Sequence, residues 1–251
     1  MQKNVAVIIL AAGLGTRMKS NKAKVLHEIQ GRPMVLYVVE TARKVAGDAI
    51  IVVVGYQAEE VRTAISAKEP IIFAYQERQL GTGHAVRCAL PYIPVDCEEV
   101  VILCGDVPLI LPETVLKLVA GHRRGHRDVS LLAVELEDPY GYGRILLDQN
   151  DQLCGIIEET DATAEQKQIR LINAGIYCVN KTFLMDVLPK IHSNNSQGEL
   201  YLTDMVAIGY EEKGNMGVMV AEDSQEILGI NSRQDLAKVD AIMQKRMRII
   251  S

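Results

Sequence analysis

Three short apolar runs, each ending at a glycine, constrain this chain more than any other feature. Residues 5–10 lead into Ala11-Ala12-Gly13, residues 49–54 into Gly55, and residues 100–104 into Gly105-Asp106. A run of Val and Ile with no polar alternation belongs to a strand covered on both faces, as in the interior of a parallel sheet. Between these runs, residues 34–45, 58–66 and 83–90 repeat apolar positions at helical spacing. Residues 71–74 read as another strand, and residues 112–122 as a helix with Pro112 in its first turn. Strands alternating with helices at this spacing predict an α/β fold: a Rossmann-like, mostly parallel sheet flanked by helices. Ligands of such sheets lie at the carboxyl ends of the strands, where segments 11–18 and 105–108 fall.

The second half follows another rhythm. Residues 129–135, 143–147 and 153–158 read as short strands separated by turn-rich stretches, Asp138-Pro139-Tyr140-Gly141-Tyr142-Gly143 among them. Residues 172–179 read as a strand, 181–188 and 200–212 as helices, and 217–220 as a last strand. Ser232 is placed to cap a final helix reaching about Arg248.

Composition removes several classes of function. Of 251 residues, 48% are apolar and 24% charged, with a net charge of −5, so an ordinary core is available. The acidic balance disfavours nucleic acid and anionic membranes as partners. The basic cluster His122-Arg123-Arg124-Gly125-His126-Arg127 lacks aromatic neighbours that could stack bases, and reads as the solvated end of a helix and its loop. No apolar stretch approaches the ~20 residues of a membrane span. The short N-terminal run ends in a glycine-rich loop and not at a cleavage site, which argues against a secretory signal. Five scattered cysteines without CxxC spacing predict reduced thiols and a cytoplasmic protein.

The segment Leu10-Ala11-Ala12-Gly13-Leu14-Gly15-Thr16-Arg17-Met18 carries the first chemical signal. Its glycines allow backbone N–H groups to approach an anion closely. It is not the dinucleotide fingerprint, because Met18 stands where the third glycine belongs, and no Gly-Lys-Ser/Thr follows to make a P-loop. Arg17 and Lys24 would set two cations beside this loop, which suits a polyphosphate whose charge shifts during displacement. Against this, Lys24 sits in a segment with Lys19 and Lys22 and also reads as an ordinary solvated lysine. The five histidines fit no triad or zinc spacing, and His84 reads as a structural hydrogen-bonder.

These residues, with Lys24-Val25-Leu26-His27, carry a resemblance to sugar nucleotidyltransferases. More narrowly the chain resembles the uridyltransferase domain of the bifunctional N-acetylglucosamine-1-phosphate uridyltransferase/glucosamine-1-phosphate acetyltransferases. The likeness continues through Gln76-x-x-Gln79-Leu80-Gly81-Thr82-Gly83-His84-Ala85, Gly105-Asp106-Val107-Pro108-Leu109, Gly141-Tyr142-Gly143-Arg144-Ile145, and Glu158 before Asp161-Ala162-Thr163. Ile172-Asn173-Ala174-Gly175-Ile176, Gln197-Gly198-Glu199-x-Tyr201-Leu202-Thr203-Asp204 and Gly229-Ile230-Asn231-Ser232-Arg233 complete it.

The resemblance implies a nucleotide-diphospho-sugar transferase fold, one domain over residues 1–251. Within it, about 1–125 would bind nucleotide, about 126–230 would form a smaller mixed β acceptor-binding part, and about 231–251 the C-terminal helix. It implies uridylyl transfer from UTP to N-acetylglucosamine-1-phosphate with release of pyrophosphate. Leu10, Ala11, Ala12 and Gly13 would hold the uracil and the start of the triphosphate, and Gln76, Gln79, Gly81 and Thr82 the base. Asp106 and Asn231 would bind Mg²⁺. Gly143, Glu158, Asn173 and Thr203 would line the sugar pocket, with Cys104 and Gly105 between sugar and base. Arg17 and Lys24 would be catalytic.

Departures from the family pattern bear on the sugar more than on the phosphates. Ala23 replaces a usual proline and should loosen the loop before Lys24; Cys104 replaces an aromatic residue, and Thr160 a frequent lysine. The hexapeptide repeats of the acetyltransferase part are absent, so acetyl transfer is not expected, and a monomer or weak homo-oligomer is. Two other readings compete: the same fold serving another sugar-1-phosphate or pyrimidine triphosphate, and a non-catalytic sensor of nucleotide sugars. The sensor reading predicts loss of Arg17, Lys24, Asp106 or Asn231, and all four are present.

Overall fold

The computed structural model describes residues 4–66 and 71–250; residues 1–3, at the head of the N-terminal apolar run, 67–70 and 251 lie outside the described residues. In chain order the elements are β1 (Val5–Ala11), β2 (Glu28–Ile29), β3 (Arg32–Pro33), α1 (Met34–Ala46), β4 (Ile50–Val54), α2 (Ala58–Ser66), β5 (Ile72–Tyr75), α3 (Thr82–Ala89) and β6 (Glu99–Cys104). There follow α4 (Pro112–Arg124), β7 (Val129–Glu135), β8 (Arg144–Leu147), β9 (Leu153–Ile157), β10 (Leu171–Asn180), α5 (Lys181–Val187), α6 (Asp204–Glu211), β11 (Met216–Val220) and α7 (Arg233–Ile250).

One nine-stranded sheet runs in the order β11-β7-β10-β6-β1-β4-β5, with the β8–β9 hairpin joined to β10. Strands β6, β1, β4 and β5 are parallel, as the both-faces-apolar runs require. Successive residues of β1 serve opposite cores: Val5, Val7 and Ile9 pack on the face with residues of α1 and α4, Ala6 and Ile8 on the face with residues of α3, α5 and α6. Full burial of such Val and Ile side chains stabilises by roughly 1.5–3 kcal/mol each. Beyond β6 the direction reverses, because β10 lies antiparallel to both β6 and β7. Its register slips between Asn173 and Tyr177, a bulge that turns the strand where it reaches the end of the sheet.

Two expectations need correction. The helix predicted over 200–212 starts only at Asp204. Its first residues instead bond to the start of α3 and the loop leading into it: Leu200 N donates to Leu80 O, Gly83 N to Leu200 O, and Leu202 N to Thr82 Oγ1, all within 3.0 Å. The basic cluster 122–127 is not simply solvated. His122 is buried against Ser130, and Arg123 makes a two-pronged bond to Glu99 at 2.8 Å. The β2–β3 hairpin was not anticipated; Gln30 (φ 48°) and Gly31 (φ 73°) make its two-residue turn. No helix among the described residues is long and apolar enough to cross a membrane.

Candidate active site

The site gathers at the carboxyl ends of β1 and β6 and at the bulged amino-terminal half of the antiparallel β10. Gly105, just after β6, donates its N–H to Leu10 O at 2.9 Å, which locks the two loops side by side. Gly15 has φ 65°, and a Cβ there would lie 2.6 Å from Lys24 Cβ. The glycine loop therefore does more than bare its N–H groups: it lets the lysine stem cross it.

At that crossing, Lys24 Nζ donates to Asp106 Oδ2 and, at 3.1 Å, to Asn231 Oδ1. Arg17 donates to the same Asn231 oxygen at 2.8 Å. The Lys24 and Asp106 side chains are only 17% and 18% exposed, so the solvated-lysine reading fails. Four residues from distant parts of the chain thus meet around two oxygens.

Local folding explains how Asn231 arrives there. Ile230 N donates to Asp106 O, stitching the two segments together at 2.9 Å. At the start of α7, Ser232 Oγ accepts from Asp235 N while the Asp235 carboxylate accepts from the N–H groups of Asn231 and Ser232, a reciprocal cap. Met18, Ile29, Met34, Leu109, Ile230, Val239 and Met243 form a small separate core that seats α7 against the loop. Asn231 is therefore held by a cap, a stitch and a hydrophobic anchor.

Two recesses open from this cluster. One is walled by Ala11, Ala12, Gly13, Gln76, Gln79 and Gly81, the other by Gly143, Glu158, Asn173 and Thr203; Leu10, Thr82, Cys104 and Asp106 border both. Gly105 lines neither. Asn231 belongs to the second recess, and Arg17 stands exposed on the rim, toward a neighbouring groove with Lys19 and Arg233.

The first recess is shaped by backbone. Gln76, nearly fully buried, donates from Nε2 to Gly81 O at 3.0 Å, and the same nitrogen lies 3.0 Å from His84 Nδ1. Gln79 Nε2 reaches Gln76 O at 3.3 Å. Gly81 adopts φ 106°, with any Cβ only 2.6 Å from Leu200 O, so the 80–83 loop closes tightly on the 199–203 segment. Ala23 does not loosen its loop: its N–H, which a proline would lack, donates to Gln57 Oε1 at 2.6 Å.

The second recess is shaped by side chains. Glu158 Oε1 accepts from Thr203 Oγ1 at 3.1 Å. Burial pushes its carboxyl above the ordinary value, and that hydrogen bond only partly offsets the shift. Asn173 gives Nδ2 to Tyr177 Oη at 2.6 Å and accepts from Gly175 N at 3.0 Å, leaving one N–H and one lone pair for a ligand. Burial, reinforced by nearby Asp106, pushes the Cys104 thiol up to about 12, so it serves as a neutral wall and not a nucleophile.

Several contributors escaped the sequence reading. Tyr142, Tyr177 and Gly175 line the second recess and Glu199 the first. Three of them lie in blocks already singled out, so neighbourhood was the available signal. Tyr177 lay in a predicted strand with nothing to mark it. Asp235 had a weak signal, its three-residue spacing from Ser232.

The donor set also bears on metal binding. Among the described residues no group of three or more His, Cys, Asp or Glu could hold an ion. Asp106 and Asn231 supply two hard oxygens close enough to share one ammonium. Such a pair suits a small divalent cation completed by phosphate oxygens and water.

The chain is similar to several known proteins. Residues 7–169 match the MobA-like NTP transferase domain. Over 245 residues, 98% of the chain, it is 44% identical to bifunctional protein GlmU of Pelobacter propionicus, of which it covers 53%. Over 242 residues, 96% of the chain, it is 44% identical to bifunctional protein GlmU of Desulfotalea psychrophila, of which it covers 71%. The chain thus spans about half the length of the first relative. Among solved structures, HddC from Yersinia pseudotuberculosis matches with a TM-score of 0.69 at 22% identity, over 95% of this chain and 99% of that one, a likeness of fold.

Proposed function

This chain belongs to the family of MobA-like NTP transferase domains, and from that premise we propose that its cleft transfers a uridylyl group from UTP to N-acetylglucosamine-1-phosphate. The products are UDP-N-acetylglucosamine and pyrophosphate. One observation carries the reading: Arg17, Lys24, Asp106 and Asn231 converge where the two recesses meet. A site joining a nucleotide to an acceptor phosphate needs its charge at that junction.

The recess of Leu10, Ala11, Ala12, Gly13, Gln76, Gln79, Gly81 and Thr82 takes the nucleotide in this reading, residues 1–125 supplying most of it. The recess of Gly143, Glu158, Asn173 and Thr203 takes the acceptor sugar, from residues 126–230. Asp106 and Asn231 hold the divalent ion, Mg²⁺, which when bound neutralises charge on the phosphate oxygens.

The chain's own residues do the rest. The acceptor phosphate already carries an ionised oxygen, so no side chain need remove a proton before it attacks the α-phosphorus. Pyrophosphate leaves from the opposite side. Lys24, fixed between the recesses, and Arg17, on the rim, stabilise negative charge as it moves toward the leaving group. Each such contact supplies on the order of 3 kcal/mol, about 10²-fold in rate. All five cysteines are free, which fits a reducing cytoplasmic setting.

The test is a substrate panel that measures pyrophosphate release. UTP with N-acetylglucosamine-1-phosphate should exceed galactosamine and glucose analogues and other nucleoside triphosphates. Equal or faster turnover with another pair would refute the assignment of substrates.

A further inference from the structure

Arg144 heads the fully buried side chains of the described residues by size, at 2% side-chain exposure, and the transfer chemistry makes no use of it. A buried guanidinium is expensive to desolvate, and well-packed apolar replacements of buried ion pairs are often neutral or stabilising. Its presence therefore calls for a reason other than stability.

The reason lies where the β8–β9 ladder stops. The last paired residues are Arg144 and Ile157; beyond them the chains splay into Gly143 on one side and Glu158 on the other. These two are immediate neighbours in the lining of the recess: a Cβ on Gly143 would lie 3.0 Å from Ile156 Cγ2 and 3.4 and 3.5 Å from the two Glu158 carboxylate oxygens. No backbone bond pairs the splayed ends with each other. Arg144 does it with its side chain, donating to Tyr142 O on the glycine turn, to Glu159 Oε2 at 2.6 Å beside Glu158, and to Lys167 O at 3.5 Å. The same Glu159 oxygen accepts from Gly141 N at 3.2 Å, closing the loop.

We propose that the Arg144–Glu159 pair is a positioning brace that fixes the placement of Gly143 and Glu158 in the lining of the recess, and with it the fit of the sugar phosphate. This rests on assigning that recess to the acceptor. Neither residue hydrogen-bonds to Arg17, Lys24, Asp106 or Asn231, so the effect is expected to fall on the acceptor recess first.

The experiment compares three proteins. Glu159→Leu alone would leave the buried Arg144 guanidinium without its side-chain acceptor, so both are changed together, Arg144→Met with Glu159→Leu, which removes the brace while keeping the volume apolar. Glu159→Gln retains an acceptor for Gly141 N and Arg144 and serves as the conservative variant. The double variant should keep the wild-type unfolding temperature and a KM for UTP within about twofold, while its KM for sugar phosphate rises about tenfold or more, equivalent to about 1.4 kcal/mol. Glu159→Gln should recover most of that loss. Amide hydrogen exchange should quicken at 141–143 and 158–161 in the double variant and stay unchanged around 10–24. An unchanged sugar KM in the folded double variant, a parallel rise in both KM values, or undisturbed exchange at 141–143 would overturn the brace. A wild-type protein that makes no nucleotide sugar would refute the substrate assignment instead, and the exchange pattern alone would then decide the brace.

Discussion

The two recesses are built by opposite means. The wall of the first is main chain brought into close contact: the turn at residues 11–13, Gly81 against Leu200, and a glutamine bonded to the Gly81 carbonyl. The wall of the second is a set of polar side chains, the buried Asn173 and Thr203, the half-buried Glu158 and, behind them, Arg144 with Glu159. Main-chain walls depend on the absence of atoms, so their weakness is any added carbon. Side-chain walls depend on mutual satisfaction of donors and acceptors, so their weakness is the loss of one partner. The two sides should therefore fail differently under mutation.

The junction belongs to neither, and striking it should have the largest effect. Asp106→Ala should lower turnover by more than about 10²-fold with no change in unfolding temperature. Near-normal turnover in Mg²⁺ would remove Asp106 from the chemistry. Lys24→Ala should cost about 10²-fold in kcat, whereas Lys117→Ala, which breaks only an exposed pair with Glu222, should stay within about twofold. Equal effects at the two lysines would return Lys24 to an incidental role.

The contrast between walls is sharpened by two milder substitutions. Gly81→Ala introduces strain at φ 106° and a contact of 2.6 Å with Leu200 O. It should destabilise by roughly 2 kcal/mol and raise the KM for UTP more than that for the sugar phosphate; a matched rise in both would show that the walls are not separate. Glu158→Gln should alter stability least, and mainly through pH. Burial holds the Glu158 proton more tightly in the folded protein than in the unfolded chain, so its contribution favours folding below pH 4.5 and is lost as pH rises through the elevated folded value. Denaturant titrations across that interval should show a smaller decline for the glutamine variant, and identical slopes would count against a buried, perturbed carboxyl.

This division also explains what could be read from the residues alone. β1, β4 and β6 were legible because both-face burial leaves no polar residue in the run. The glycine loop, Lys24, Asp106 and Asn231 were found because they lie directly after strands or in recognisable blocks, although Gly15 making room for Lys24 was not foreseen. Residues 200–203 were misread as helix because their apolar spacing is helical while their main-chain groups are taken by Leu80, Thr82 and Gly83. No local pattern announces a bond to a segment about 120 positions away. Arg144 was visible only as a letter in a motif. Its burial depends on the pairing of β8 with β9 and β10, which periodicity does not encode.

The contact of Lys24 with Asp106 and Asn231 has a final consequence. An acidic group half sunk in protein would repel an arriving polyanion, and a bare lysine there would capture any passing phosphate. With the ammonium seated between the two oxygens, the Asp106 carboxylate is neutralised and Arg17 leaves the junction one positive charge in excess. Arrival of substrate then becomes an exchange of partners within a preassembled set of charges.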